Sequence, residues 1–181
     1  MVNKNSNYKA TQSDWIGIGV RILAQSGYLA LNISDLCKEI GASKGSFYWY
    51  FKSKRDYELA LYFEFERLLN SYYSELSEVS NGKVSDFFHE IYSQVPPLLI
   101  RLELAIRDWA RNDDEVFKYC KKLDIKRLAW IESILRKYRI TNEKDKAVKI
   151  FATTIGMSLL PEFIGKNYKS LYKSAIEDII K

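Results

Sequence analysis

Asn32-Ile-Ser-Asp-Leu-Cys-Lys-Glu-Ile-Gly-Ala-Ser-Lys-Gly-Ser-Phe-Tyr-Trp-Tyr-Phe-Lys-Ser-Lys-Arg-Asp56 is the stretch on which the reading of the whole chain turns. It predicts two short helices around a tight turn, followed at once by the start of a third. Asn32 suits an N-cap, and Asp35 brings a carboxylate to the free N–H groups of the first turn. Ile33, Leu36, Cys37 and Ile40 recur at helical spacing and give one apolar face. Gly41 stands where a helix end favours a residue tolerant of positive φ. Ser43 can cap the next helix, from Lys44 to about Phe51.

That second helix carries two faces. Phe47 and Phe51 are one turn apart and can enter a core together. Lys44 with Tyr48, and Gly45 with Trp49, are also four apart and define another face. A cation, a glycine-opened backbone, a phenol and an indole suit a helix in a DNA groove. Lys44 and Tyr48 would reach phosphates or base edges, and Trp49 a thymine methyl. The same Tyr48, Trp49 and Tyr50 could equally fill a core, because aromatic residues on helices usually pack.

The stretch resembles the DNA-binding segment of the tetracycline-repressor (TetR) family of bacterial regulators. The matching residues are Gly41-Ala42-Ser43-Lys44-Gly45-Ser46-Phe47-Tyr48-Trp49-Tyr50-Phe51-Lys52-Ser53-Lys54, in one gapless register. The resemblance extends back to Trp15 and forward to about Leu61, about a third of the chain. Cys37 departs from the usual alanine and should pack as a small hydrophobe. Asp35 and Glu39 make an acidic edge that lowers the positive potential near DNA. The resemblance implies a helix-turn-helix whose DNA-binding residues are Asn32, Ser34, Ser43, Lys44, Gly45, Ser46, Tyr48, Trp49, Tyr50 and Lys54.

Around this stretch, 181 residues suffice for one good core or two small ones. Hydrophobic residues at 47% and charged residues at 28% are ordinary for a globular protein. No apolar run approaches a membrane span, and the polar start, Met1 to Lys9, has no signal-peptide core. That start reads as a loose tail with Lys4 and Lys9 available to phosphates. Cys37 and Cys120 form no paired motif, so the natural location is the cytoplasm, with both thiols reduced. The net charge is +5, of which +3 falls on residues 1–60. That bias permits nucleic-acid binding without arguing for it.

The remainder reads as helices throughout. Thr11-Gln-Ser-Asp14 resembles a capping box, and Trp15, Ile18, Ile22 and Leu23 give a stripe ending at Gly27. Ser53-Lys-Arg-Asp56 opens a long fourth helix to about Val79, roughly 40 Å at 1.5 Å per residue. Ser80-Asn-Gly-Lys83 breaks the chain, and Ser85 is expected to cap a helix through Phe87, Phe88, Ile91 and Tyr92. Pro96-Pro97 suits a first turn. Asn112-Asp-Asp-Glu115 supplies N-cap chemistry for a longer helix with Val116, Cys120, Leu123, Leu128, Ile131 and Leu135 inside. A further helix is expected from about Lys144 to Phe163, and a last one from about Leu171 to Ile180. The fold class is therefore all-α, with about nine helices. Residues 1–56 are expected to form a three-helix DNA-binding domain, and residues 57–181 a larger ligand-binding and dimerisation domain.

Ile150 to Leu160 is apolar on most sides and contains small residues, so it needs burial on most sides. The family resemblance implies a four-helix homodimer interface here, with Ala152, Ile155, Gly156, Leu159, Leu160 and Phe163 as candidates; burial within the monomer is the other explanation. The resemblance also implies a small-molecule pocket in the body. Tyr62, Phe65, Phe88, Trp109, Trp130 and Phe151 are the candidate lining, with Arg101, Arg107 and Asp108 as possible polar anchors. An aromatic stripe is more often core. No cofactor or metal is expected: His89 is the single histidine, no ligand spacing surrounds it, and no catalytic or nucleotide-loop signature occurs. The leading function is a dimeric, non-enzymatic DNA-binding regulator, a repressor released from a pseudo-palindromic operator by an unknown small molecule. A helical protein-interaction module on the same scaffold, without operator binding, is the alternative.

Overall fold

A computed structural model of the chain describes residues 10–76, 82–160 and 167–181. The tail with Lys4 and Lys9, the expected end of the fourth helix at Val79, Ser80 and Asn81 of the Ser80–Lys83 break, and Phe163 lie outside the described residues. Among those described there are nine α-helices, one short 3-10 turn and no strand. The helices are α1 (Gln12–Ser26), α2 (Ile33–Ile40), α3 (Lys44–Tyr50), α4 (Lys54–Leu76), α5 (Val84–Gln94), α6 (Pro97–Ala110), α7 (Asp114–Lys137), α8 (Glu143–Ser158) and α9 (Tyr168–Ile180).

Local chemistry sets most of these ends. Thr11 and Asp14 form a reciprocal capping box on α1. Asn32 accepts from Ser34 N–H at 2.8 Å to start α2, which ends at Gly41 with φ 69° and ψ 30°. Ser43 caps α3 through Ser46 N–H, and Ser53 receives Asp56 N–H at 3.0 Å at the start of α4. Pro97 opens α6, and Asp113 caps α7 through the N–H groups of Glu115 and Val116.

Three expectations need adjustment. Ser85 is not the cap of α5: Lys83 holds that position without a side-chain bond, and Ser85 is buried inside the first turn. The eighth helix stops at Ser158, with Leu159 and Leu160 N–H groups turning back to Gly156 and Met157. Pro161 follows in sequence, and a residue before proline is pushed out of helical backbone. The last helix starts three residues early, at Tyr168.

Two apolar clusters hold the molecule. The first joins Trp15, Leu23, Leu36, Phe47 and Phe51 to Tyr57, Leu61 and Phe65 of α4, then to Leu102, Ile106 and Trp109 of α6 and Val116 and Leu123 of α7. The apolar interior thus continues past residue 56. The second unites α5, the later part of α7, α8 and α9 through Phe87, Phe88, Ile131, Leu135, Ile150, Tyr172 and Ile176.

Gly19 sits where α1 crosses α4. A Cβ there would lie 2.0 Å from Tyr57 Oη and 2.7 Å from Leu61, so only glycine lets α1 and α4 approach this far. At the crossing, Tyr57 Oη donates to the Trp15 carbonyl at 2.8 Å. Burial pushes the Tyr57 phenol pKa far up, so the donor stays protonated. This bond and the missing Cβ lock the long helix to the head.

Candidate nucleic-acid interface

Alternating helix faces divide the aromatics of α3. Phe47 is fully buried, meets Trp15 edge to face at 5.4 Å, and lies 5.2 Å from Phe51. Such pairs add about 0.5–1.5 kcal/mol each beyond area burial. Phe51 and Tyr57 complete the cluster at 4.9 Å. With the core side of α3 anchored this way, its neighbours in sequence point out. Trp49 is 79% exposed and Tyr48 52% exposed, while Tyr50 is half-buried against the core. Lys44 and Gly45 are exposed on the same outward side.

A Cβ on Gly45 would meet only Ser43 Oγ, at an ordinary 3.6 Å. Nothing inside the described chain requires glycine there. It leaves the start of α3 bare, so another backbone can come close.

The other candidate residues are more committed to the chain itself. Asn32 and Ser43 are exposed, but each already uses a side-chain oxygen as a helix cap. Ser34 and Ser46 are half-buried and supply the capped N–H groups. Lys54 is exposed but lies 3.3 Å from Glu58 and 5.9 Å from the Tyr28 ring. The acidic edge is also occupied: Asp35 pairs with Lys38 at 2.9 Å, and Glu39 with Arg21. These exposed pairs are worth little in stability, but each neutralises a carboxylate beside the outward face.

A second constellation ties this head to the body. Tyr28 stacks on Trp109 of α6, with centroids 4.5 Å apart and planes 8° from parallel. Trp109 Nε1 donates to Asp113, and Arg55 holds the same carboxylate through two N–H groups and Glu115 at 2.7 Å. The Arg55 hydrogen bonds bring the Asp113 pKa down to about 2. Local patterning in the sequence carries no sign of this clasp, because it joins Tyr28 to Trp109 and Arg55 to Asp113, each pair more than fifty residues apart.

Matching the chain with known proteins agrees with this geometry. Residues 18–57 match the model of the bacterial regulatory proteins of the tetR family. Over these residues the chain is similar to the TetR family. The HTH-type transcriptional repressor NemR of Escherichia coli strain K12 is 31% identical over 96 residues, 51% of this chain and 46% of NemR. The Transposon Tn10 TetC protein of Escherichia coli is 27% identical over 85 residues, 45% of this chain and 43% of TetC. The matched part therefore spans about half the length of these curated relatives. In fold, a transcriptional regulator from Rhodococcus sp. Rha1 superposes with a TM-score of 0.75 at 17% identity, covering 94% of each chain.

Within the body, the predicted pocket residues separate into two groups. Phe88, Trp130 and Phe151 line an interior cavity of about 40 Å³, together with Tyr73, Tyr92 and Tyr172. Tyr62, Phe65 and Trp109 are fully buried in the first apolar cluster and line neither this cavity nor its neighbour. Of the suggested anchors, Arg107 approaches the cavity region, whereas Arg101 and Asp108 are exposed.

Besides Arg107, the charges at that wall are Glu103, Asp124 and Arg127, which the sequence reading did not single out. Glu103 and Arg127 are buried and paired, and Arg107 holds Glu103 at 2.6 Å and Asp124 at 2.8 Å. Burial would raise the Glu103 pKa, but the two guanidiniums outweigh it and hold it low. A signal existed: Arg127 lies four residues after Leu123 and four before Ile131, a cation on the core stripe of α7.

For the proposed dimer face, Ala152, Leu159 and Leu160 are exposed, and Ile155 and Gly156 are half-buried. A Cβ on Gly156 would meet nothing within 4 Å.

Proposed function

We propose that this TetR-family chain is a dimeric DNA-binding transcriptional regulator, a cytoplasmic repressor that leaves a pseudo-palindromic operator when a small molecule enters the body. The observation that carries the reading is the outward face of α3. Trp49 and Tyr48 stand exposed beside Lys44 on a helix whose other side is locked into the core. An exposed indole and phenol are poor solvent-facing residues unless something covers them. A major groove supplies phosphates for Lys44, base edges for Tyr48 and thymine methyls for Trp49. Functionally, residues 1–56 read DNA, and residues 57–181 carry ligand binding and dimerisation.

Assembly rests on α8 and α9. Val148 and Leu159 are exposed, and with Ala152 and Ile155 they recur at helical spacing; Leu171 of α9 is also exposed. Pairing this face with its twofold mate would place two α3 helices on successive major grooves about 34–36 Å apart. Regulation then follows the route that the contacts offer. α6 carries Glu103 beside the interior cavity and Trp109 against Tyr28 of the head. A shift of α6 would therefore reach the head directly, alongside any movement of α4.

Footprinting on the DNA flanking the protein's own gene tests the reading. Two protected half-sites about one helical turn apart are expected. Absence of any shift or footprint at low salt would sink operator binding.

A further inference from the structure

Two adjoining interior cavities of about 40 Å³ each lie among α4 to α9, and they share Tyr73, Tyr92, Arg127, Phe151 and Thr154 as walls. Most polar groups around them are already engaged. Tyr72 Oη donates to the Ile91 carbonyl, Ser158 Oγ to the Thr154 carbonyl at 2.8 Å, and Thr154 and Tyr172 hydroxyls pair at 2.9 Å. Arg127 differs. Its Nη atoms grip Glu103, but its Nε–H, fully shielded from solvent, has no partner among the described residues. An unmet donor on a buried cation is costly, so an acceptor supplied from outside gains more than an ordinary hydrogen bond.

Charge narrows what that acceptor can be. Arg107 and Arg127 face Glu103 and Asp124, two positive groups against two negative ones. The set is already neutral, so a carboxylate ligand would add an uncompensated buried charge. Both guanidiniums also lie 5.7 Å from the Phe151 ring, which occupies part of their remaining surface. We infer that the body cavity selects a small uncharged molecule with an apolar skeleton and one hydrogen-bond acceptor, seated on Arg127 Nε–H. This deepens the reading of the body as the ligand-binding part. A water can hold the donor in the ligand-free protein, and the ligand's oxygen replaces it. At about 30 Å³ per water, the two cavities together hold only about three waters. Phe151, on their shared wall, must turn aside as the ligand enters.

The test uses the full chain, with the arginine Nε–H resonances followed by NMR and that of Arg127 assigned through its contacts to the Phe151 ring. Three small probes are titrated at neutral pH: butanone, 2-methyl-1-butene, in which a methylene replaces the carbonyl oxygen, and propionate. Butanone should shift the Arg127 Nε–H saturably and bind about 10- to 100-fold more tightly than the alkene. Propionate should bind more weakly than butanone. Arg127→Lys keeps a cation on Glu103 but lacks Nε, and should erase the preference for butanone over the alkene. If that variant does not fold, the three titrations on the unmodified protein decide alone. Equal binding of butanone and the alkene, tighter binding of propionate, or no shift with any probe would overturn the inference. A failed footprint would leave these titrations untouched, so loss of operator binding and loss of the ligand class are separable results.

Discussion

The head and the body are both rich in aromatic residues, and they use them in opposite ways. In α3 the rings alternate, Phe47 inward with no exposed surface and Trp49 outward at 79% exposure, two residues apart. In the body the rings converge. Tyr73, Phe88, Tyr92, Trp130, Phe151 and Tyr172 surround cavities with a balanced set of charges at one wall. Aromatic content therefore does not distinguish core from site. What distinguishes them is whether the ring finds a neighbour from a distant part of the chain. Phe47 finds Trp15 and Tyr57, and Trp49 finds none among the described residues.

Truncating the two α3 rings one at a time should separate their roles. Phe47→Ala should cost about 3–5 kcal/mol, because it empties the centre of a close-packed cluster. Trp49→Ala should change stability by no more than about 0.5 kcal/mol, as expected for an exposed position. Chemical denaturation measures both. The order should invert on DNA: Trp49→Ala should lose about 1–3 kcal/mol of preference for operator over unrelated sequence. If Trp49→Ala leaves affinity and specificity unchanged, the outward face is not a reading surface.

A smaller effect tests how the head is joined to α4. Gly19→Ala places a methyl where Tyr57 Oη now lies, so α1 and α4 must separate or Tyr57 must surrender its bond to the Trp15 carbonyl. Overpacking of this kind costs about 1–3 kcal/mol. Gly45→Ala, at a position with ordinary space, should be nearly neutral for stability and weaken only DNA binding. Equal destabilisation by the two alanines would contradict the stated crossing.

These contrasts also show how far the sequence alone reaches. Thr11, Asn32, Gly41, Ser43, Pro97 and Asp113 act within a turn of themselves, and their roles at helix ends were legible. The apolar stripes of α1 and α7 were legible for the same reason. Ser85 misled because a capping residue type is not a capping position: the chain enters α5 two residues earlier, and packing buries the serine. Arg127 sits on the core stripe of α7, but its partner Glu103 lies 24 residues away, so the sequence names no counter-charge for it. The clasp of Tyr28, Arg55, Trp109 and Asp113 is non-local too, and periodicity carries no trace of such pairings. In the candidate site, residue types pointed to the outward face of α3. The free donor at Arg127 needed three dimensions.

Acid provides the smallest and most specific probe of how the two regions are held together. Arg55 leaves the head at the first turn of α4 and grips Asp113 at the start of α7, so one ion pair bridges them. The Asp113 pKa falls from an ordinary 3.8 to about 2, first through its hydrogen bonds with Arg55 and then, against the opposing effect of burial, through the Val116 N–H and Trp109. A carboxylate with a lowered folded-state pKa binds fewer protons when folded. Its stabilisation is therefore complete above about pH 4 and is lost as the pH falls towards 2. Because Arg55 is partly exposed, solvent screening reduces the effect to about 1 kcal/mol. Asp113→Asn isolates it: the amide oxygen can still cap α7 through Glu115 and Val116, while the charge is gone. Urea denaturation at pH 5, 4, 3 and 2 should show the unmodified chain more stable than Asp113→Asn at pH 5, with the gap closing by pH 2. Other acidic groups titrate in both proteins and cancel in the difference. A gap that stays constant across this range would mean that Arg55 does not hold Asp113 in solution, and that the head is joined to the body by the Tyr28–Trp109 stack and the α1–α4 crossing without the ion pair.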